Sequence, residues 1–365
     1  MKQGKSLQEL AAEIERRAAN KTDFIAPVGK FEMTVVEDKP VIALQNGEVK
    51  TFGINSVAHN QLAEYAGIPK AYYDRLADND PALLATNVNR WIHDEEKQGQ
   101  RRLIRVLDNK VRAVVSDKFR CLDNEQLAEA VLPVLLDQNL MILACEITER
   151  RMYIKAVDRS IEVQVPTGKA MGDGTHTIFD CCAPAITIGN SEVGMGALYI
   201  ESGVWTKACT NLATFGSAMR KYHTGARADV SDDVFALLSD RTKQITDAAV
   251  WSQTRDLVKA AFDQAKFEAT CKKLGQAGKV AIEGDVVEVV ESVGRKLNID
   301  GSERKGILAQ LIKGGDLTQY GLHAAVTRYS ADVEDFDRAT ELERLGGRVI
   351  DLSPADFAEV TRKAA

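Results

Sequence analysis

The clearest chemical pattern in the chain runs from Arg101 to Val115, Arg-Arg-Leu-Ile-Arg-Val-Leu-Asp-Asn-Lys-Val-Arg-Ala-Val-Val. Asp108-Asn109 suits a two-residue hairpin turn, because both residue types tolerate positive φ. Closing there sets Leu107 against Lys110, Val106 against Val111 and Arg105 against Arg112. One face is then apolar, with Ile104, Val106, Val111, Ala113 and Val115. The other carries Arg101, Arg105, Lys110 and Arg112, and a longer second strand adds Ser116, Lys118 and Arg120. Two arginines directly opposite on a sheet repel, by roughly a few tenths of a kcal/mol, unless an anion lies between them. Farther along, Arg151, Tyr153, Lys155 and Arg159 share one parity of the next hairpin. That adds cations and a ring able to stack on a base. The chemistry is non-covalent: phosphates neutralised and bases stacked, as in sequence-tolerant binders of single strands. The competing reading is a solvated face whose cations discourage edge pairing.

Other candidates are weaker. The loop Gly189-Asn190-Ser191-Glu192-Val193-Gly194-Met195-Gly196 lacks the Gly-Lys-Ser/Thr ending of a phosphate loop, and Gly168-Lys169-Ala170 lacks the hydroxyl. Ser191 sits in no Gly-x-Ser-x-Gly elbow, so the loop reads as a tight turn. His176 and Cys182 would share a strand face but lie roughly 20 Å apart, too far to ligate one zinc. Cys209 is a lone thiol, weak evidence for a nucleophile. Asp300-Gly301-Ser302-Glu303 lacks calcium-loop spacing. The expectation is therefore no catalytic residue, no metal and no cofactor.

The elements that must position the basic face follow from periodicity. Leu7, Leu10, Ala11, Ile14 and Ala18 form the stripe of an amphipathic helix. Residues 31–52 alternate as strands. Ser56 is read as the cap of a helix ending at Gly67, and Pro69 as the opening of another through Leu76. Asp80-Pro81 starts a third, expected to reach about Lys97 and to bury Leu84, Val88 and Trp91. From 101 the period is two, with strands near 101–107, 110–120, 140–147, 150–158, 160–165, 176–188 and 197–204. Asp123 and Gln126 suggest a capping box for one interrupting helix, kinked at Pro133. Another helix is expected from Trp205 to about Gly225. Beyond it come helices from Ser231 to about Lys266, near 281–295, 303–313, 317–329 and 334–345, and from Ser353-Pro354. Strands followed by helices read as α+β with mostly antiparallel pairing. Expected units are 1–78, a core over 79–228 and a helical region over 229–365.

Composition bounds the rest. With 45% hydrophobic and 27% charged residues among 365, the chain is globular and not disordered or collagen-like. Net charge is -6, split as 12 basic against 15 acidic residues over 1–100, 16 against 14 over 101–228, and 19 against 24 over 229–365. Only the middle is positive. The absence of an export signal or membrane-length apolar run points to a cytoplasmic protein, with its six cysteines reduced and mostly buried.

Three stretches resemble the phage/plasmid-like family known as domain of unknown function 932. They are Arg112 to Asn124 (Arg-Ala-Val-Val-Ser-Asp-Lys-Phe-Arg-Cys-Leu-Asp-Asn), Asn190-Ser191-Glu192-Val193-Gly194 through Leu198 with Ala208-Cys209-Thr210-Asn211, and Leu317 through Arg328 with Glu341-Leu342-Glu343. His323 stands where that family is expected to have asparagine, and Leu212 where it tends to have glycine. The resemblance implies carriage by phages, plasmids or integrated elements and brings no established activity. The order of elements is also similar to that of phage annealing proteins, an analogy at fold level.

The leading expectation is a single-stranded DNA-binding, annealing protein of a mobile element. Its groove would be lined by Arg101, Arg105, Lys110, Arg112, Lys118, Arg120, Arg151 and Lys155, with Lys207, Arg220, Lys221 and Arg227 farther out. Tyr153, Phe119 or Trp205 would stack on bases. The N-terminal helix or the acidic tail would join subunits into a ring or filament. The alternatives are a protein-binding accessory factor using the acidic tail, and an enzyme on nucleotides using Glu192 or Cys209.

Overall fold

The computed structural model describes residues 1–170, 176–207, 210–216, 219–221 and 240–362. The fold is α+β: two sheets in the first part of the chain, then helices. Helix α1 (Leu7–Asn20) opens on Ser6, whose side chain and Glu9 form a capping box. The first sheet has strands β1 (Lys21–Pro27), β2 (Phe31–Val36), β3 (Lys39–Asn46), β4 (Glu48–Ile54), β5 (Arg101–Leu107) and β6 (Lys110–Ser116). Their order is β1-β5-β6-β4-β3-β2, with only β4–β6 parallel. The hairpin at 101–116 therefore completes the N-terminal sheet, which crosses the unit boundary expected at 78. Helices α2 (Ser56–Ala66), α3 (Lys70–Asn79) and α4 (Pro81–Ile92) cover one face. There Leu62, Tyr73, Leu84 and Val88 pack with Phe31, Ile42, Ile104 and Val111.

Several local expectations hold: Gly67 takes the left-handed conformation that ends α2, and Asp80 caps α4 with Pro81 at its first position. Others are corrected. Asn55, not Ser56, caps α2. Helix α4 stops at Ile92, and Trp91 is 49% exposed: Leu84, Val88 and Ile92 face the sheet, and Trp91 falls outside that stripe.

The second sheet has β7 (Met141–Ile147), β8 (Met152–Val157), β9 (Val163–Ala170), β10 (Thr177–Asn190), β11 (Leu198–Thr206), β12 (Asn211–Thr214) and β13 (Met219–Lys221). The helix expected from Trp205 is instead the end of β11 followed by two short strands that both pair with β11. Ser231, the expected cap of the next helix, lies outside the described residues, as do Cys209 and Arg227. Central strands β8 and β10 are covered on both faces, so they read as nearly continuous buried runs. One face packs on α1, α5 (Asn124–Asp137) and α6 (Asp240–Ala260), through Leu10, Ile14, Leu127, Val131, Ile154, Ile186, Ile200, Val250 and Val258. The stripe of α1 is therefore packed inside the chain, with Leu10 and Ile14 in this core.

The other face meets α7 (Gln264–Ala277), α10 (Gln319–Tyr329) and α11 (Phe336–Asp351). With α8 (Val286–Lys296), α9 (Gly301–Gly314) and α12 (Pro354–Arg362), α10 and α11 form a core around Val293, Ile307, Leu322, Leu342 and Phe357. Among the described residues no helix is long and apolar enough to cross a membrane.

Candidate nucleic-acid interface

The hairpin turn forms as its residues require: Asp108 and Asn109 have φ of 51° and 59°, and Leu107 pairs with Lys110 and Val106 with Val111. The ladder then shifts. Arg105 pairs with Ala113, Ile104 with Val114 and Leu103 with Val115. Arg112 is the extra residue of a β-bulge, so the two arginines are not opposite each other. Beyond the bulge the parity of β6 inverts. Val114 joins the helix-covered core, whereas Ala113 and Val115 turn to the opposite face, against Val57 and Val193.

That opposite face is an internal interface with the 189–196 loop. Arg105 is 0% exposed. Its Nε donates to both oxygens of Asp23 at 3.1 Å, Nη1 to the Glu192 carbonyl at 2.8 Å and Nη2 to Asp123 at 2.8 Å. Asp23 stands directly across from it on β1. Burial disfavours the Arg105 charge, and Asp123 and Asp23 more than compensate, so its pKa is raised. Asp123 is the residue before α5, yet its carboxylate makes no cap bond; Arg105 and Lys21 take it instead.

Arg112 is buried but differently served. Its Nη1 donates to Glu192 Oε2 at 2.6 Å, and Nε and Nη2 have no partner. The other Glu192 oxygen accepts the Asn124 backbone N–H at 2.7 Å, at the start of α5, where the helix dipole favours a carboxylate. Nε–H and Nη2–H are parallel donors on one edge of the guanidinium, the edge that grips two oxygens of a phosphate or carboxylate at once. Arg112 lines a cleft of about 220 Å³ between the hairpin, α1 and the β7–β8 turn. Its walls carry the cations Arg16, Arg17, Lys110, Arg112, Arg150 and Arg151 against the acids Asp108, Glu149 and Glu192, six positive against three negative, with Arg16 and Arg17 already paired with Glu13 and Arg16 also with Asp108. Arg17 donates to the Ile147 and Thr148 carbonyls, and Arg151 to the Met195 carbonyl at 2.6 Å. Lys110 and Arg150 are exposed.

The remaining basic candidates divide. Arg120 is buried and bound to Asp247. Lys155 is fully buried and donates to Glu343 at 2.6 Å; burial pushes its pKa down and Glu343 offsets part of that. Tyr153 is buried, its hydroxyl donating to Asp337 at 2.6 Å, so it presents no ring to a base. Trp205 is also buried and Phe119 half-buried. Arg105, Arg120, Lys155 and Tyr153 are thus corrected from groove-lining groups to internal partners. Their partners are acids up to 188 residues away in sequence. Arg101 is exposed at the far end of β5, six strand residues or about 20 Å from the turn. Lys118 is exposed just past β6. Lys207 pairs with Glu162, Arg220 lies 3.9 Å from Glu201, and Lys221 sits on β13, all on the second sheet. The structure brings Lys110, Arg112 and Arg151 together and adds Arg16, Arg17 and Arg150. The doublets Arg16-Arg17 and Arg150-Arg151 are visible in the sequence, but their meeting depends on α1 lying beside β7.

Nothing else among the described residues forms a chemical centre. No cluster of three or more His, Cys, Asp or Glu residues fits a metal. Burial pushes the thiols of Cys121, Cys145 and Cys271 up to about 11, 12 and 12, so they stay protonated near neutral pH. Comparison with known proteins finds no matching family model, curated protein or solved structure.

Proposed function

We propose that this protein binds single-stranded DNA, taking backbone phosphate in the cleft at Arg112 by charge and hydrogen bonds without a cofactor. The observation that carries the reading is the unpartnered Nε/Nη2 edge of a buried arginine in a cleft with six cations and three acids. Each buried donor left unpaired costs about 1–3 kcal/mol, and an oxyanion would satisfy both. A single backbone strand suits a space of about 220 Å³. The buried aromatics favour phosphate contact over base stacking, and hence tolerance of sequence.

The test is fluorescence anisotropy of a labelled 40-mer, single-stranded and duplex, across salt concentrations. Single-strand preference with a log–log salt slope near -0.7 per phosphate neutralised is expected. Lys110→Glu combined with Arg150→Glu should abolish binding with the unfolding midpoint unchanged, since both side chains are exposed. Equal binding by that variant would overturn the proposal. Strand annealing is then measured on the wild type.

A further inference from the structure

A second cavity, of about 550 Å³, adjoins the cleft. Arg150 and Arg151 of the β7–β8 turn line both spaces. It lies where the second sheet meets the first turns of α11. Gly189 makes this floor possible: Tyr199 and Tyr153 pair with it from either side, and a Cβ at 189 would collide with the Tyr199 ring. The Thr340 hydroxyl on the cavity wall has no hydrogen-bond partner although the residue is almost fully buried, and the equally buried Tyr199 hydroxyl interacts with the Arg344 guanidinium. Tyr199 is 1% exposed and Thr340 2%.

The two spaces differ in charge. The cleft keeps an excess of two cations once Glu13, paired with Arg16 and Arg17, is counted, whereas the cavity sets Arg150, Arg151, Arg338 and Arg344 against five acids. Arg338 and Arg344 are already held by Glu303 and Glu201. The cavity is thus near neutral, rich in hydroxyl and carboxylate groups, and of small-molecule size. A ligand reaching across the Arg150–Arg151 turn would have an anionic end and a larger polar, neutral end with hydroxyl and ring N–H groups.

From this geometry we infer that the cleft and the cavity together hold one nucleotide unit, its phosphate at Arg112 and its nucleoside beside Tyr199 and Thr340. This rests on the phosphate reading of the cleft. Hydroxyls satisfy either a donor or an acceptor, so sugar hydroxyls and base edges both complete the orphaned Thr340 hydroxyl.

The experiment titrates the full chain with inorganic phosphate, with each of the four nucleoside 5′-monophosphates, and with the 40-mer. It does so for the wild type and for Tyr199→Phe combined with Thr340→Val. Both substitutions preserve shape, Thr340 loses a hydroxyl without a partner, and Arg344 keeps Glu201 when the Tyr199 hydroxyl goes, so the unfolding midpoint should change little. At least one monophosphate should bind tenfold or more tighter than inorganic phosphate. The double variant should lose that advantage and keep its affinity for inorganic phosphate. Monophosphates that bind no tighter than phosphate while the 40-mer still binds would overturn the nucleotide pocket and leave the phosphate cleft standing. An unaltered advantage in the double variant would also overturn the pocket. If neither phosphate nor the 40-mer binds, the cleft reading fails and the pocket falls with it.

Discussion

Arg105 and Arg112 lie on the two strands of one hairpin, both buried, both beside Glu192, and they are opposite in kind. Every nitrogen of Arg105 meets an internal acceptor: two carboxylates and a carbonyl. Arg112 spends one nitrogen on Glu192 and leaves an edge unused. Burial alone therefore does not separate an arginine whose donors are all met inside the fold from one whose donors are not. The count of unmet N–H groups does. The bulge produces the difference: it keeps Arg105 aligned with Asp23 on β1 and carries Arg112 out of the ladder toward the cleft.

The contrast breaks most visibly on removal of each side chain. Arg105→Met should cost about 3–5 kcal/mol, because it leaves the mostly buried Asp123 with Lys21 alone, removes the cross-strand partner of Asp23 and leaves the Glu192 carbonyl without its donor. Urea midpoints check this, and a loss no larger than that of Arg112→Met would erase the distinction. Lys155→Met should cost a similar amount by leaving Glu343 charged and alone, and adding Glu343→Leu should restore most of it; a double variant as unstable as the single would refute the pairing. Arg112→Met should cost less than Arg105→Met, since Glu192 keeps its backbone partner at α5 and two unsatisfied donors disappear with the guanidinium. Its affinity for the single strand should fall tenfold or more in the anisotropy titration.

Acid sharpens the same contrast. Burial raises the pKa of Asp123, but Arg105 and Lys21 pull it below the ordinary carboxylate value. Its contribution to stability is therefore present above the ordinary range and is lost as pH falls through the depressed folded value. Denaturation from pH 5 downward should show a shallower decline for Asp123→Asn than for the wild type. The smallest effect belongs to Lys110→Ala: stability unchanged, and the salt slope of binding shallower by about 0.7, one phosphate contact on a single strand. An unchanged slope would remove Lys110 from the interface.

Much of this fold was legible because it is locally encoded. The Asp108-Asn109 turn, the Asp80-Pro81 start, the Gly67 stop and the alternation of β5 each follow from residues within a few positions. The site was less legible, for one local and one distant reason. A period of two assumes an unbroken ladder, and the bulge at Arg112 reversed the parity of everything after it in β6. Apart from Asp123, 18 residues from Arg105, the acids that meet the buried arginines and lysine are distant: Asp23, Asp247 and Glu343 lie 82, 127 and 188 residues away. No spacing rule links such pairs. Glu192 is an intermediate case. It lies in a stretch singled out for its resemblance, as does Arg112, yet only the folded chain makes it the link between them.

The strand order also bears on how the molecule is made. On a ribosome, β1 waits some eighty residues for β5, the strand it pairs with among the described residues. The apolar stripe of α1 waits longer still, because Leu10 and Ile14 share their core with Ile154, Ile186 and Val250. Residues made well before their partners are thus among the last to leave water. Contacts this distant in sequence slow folding and lengthen the exposure of sticky surface. Slow release from chaperones during expression is the expected consequence, and a chain with α1 deleted should fold to a sheet lacking part of its cover.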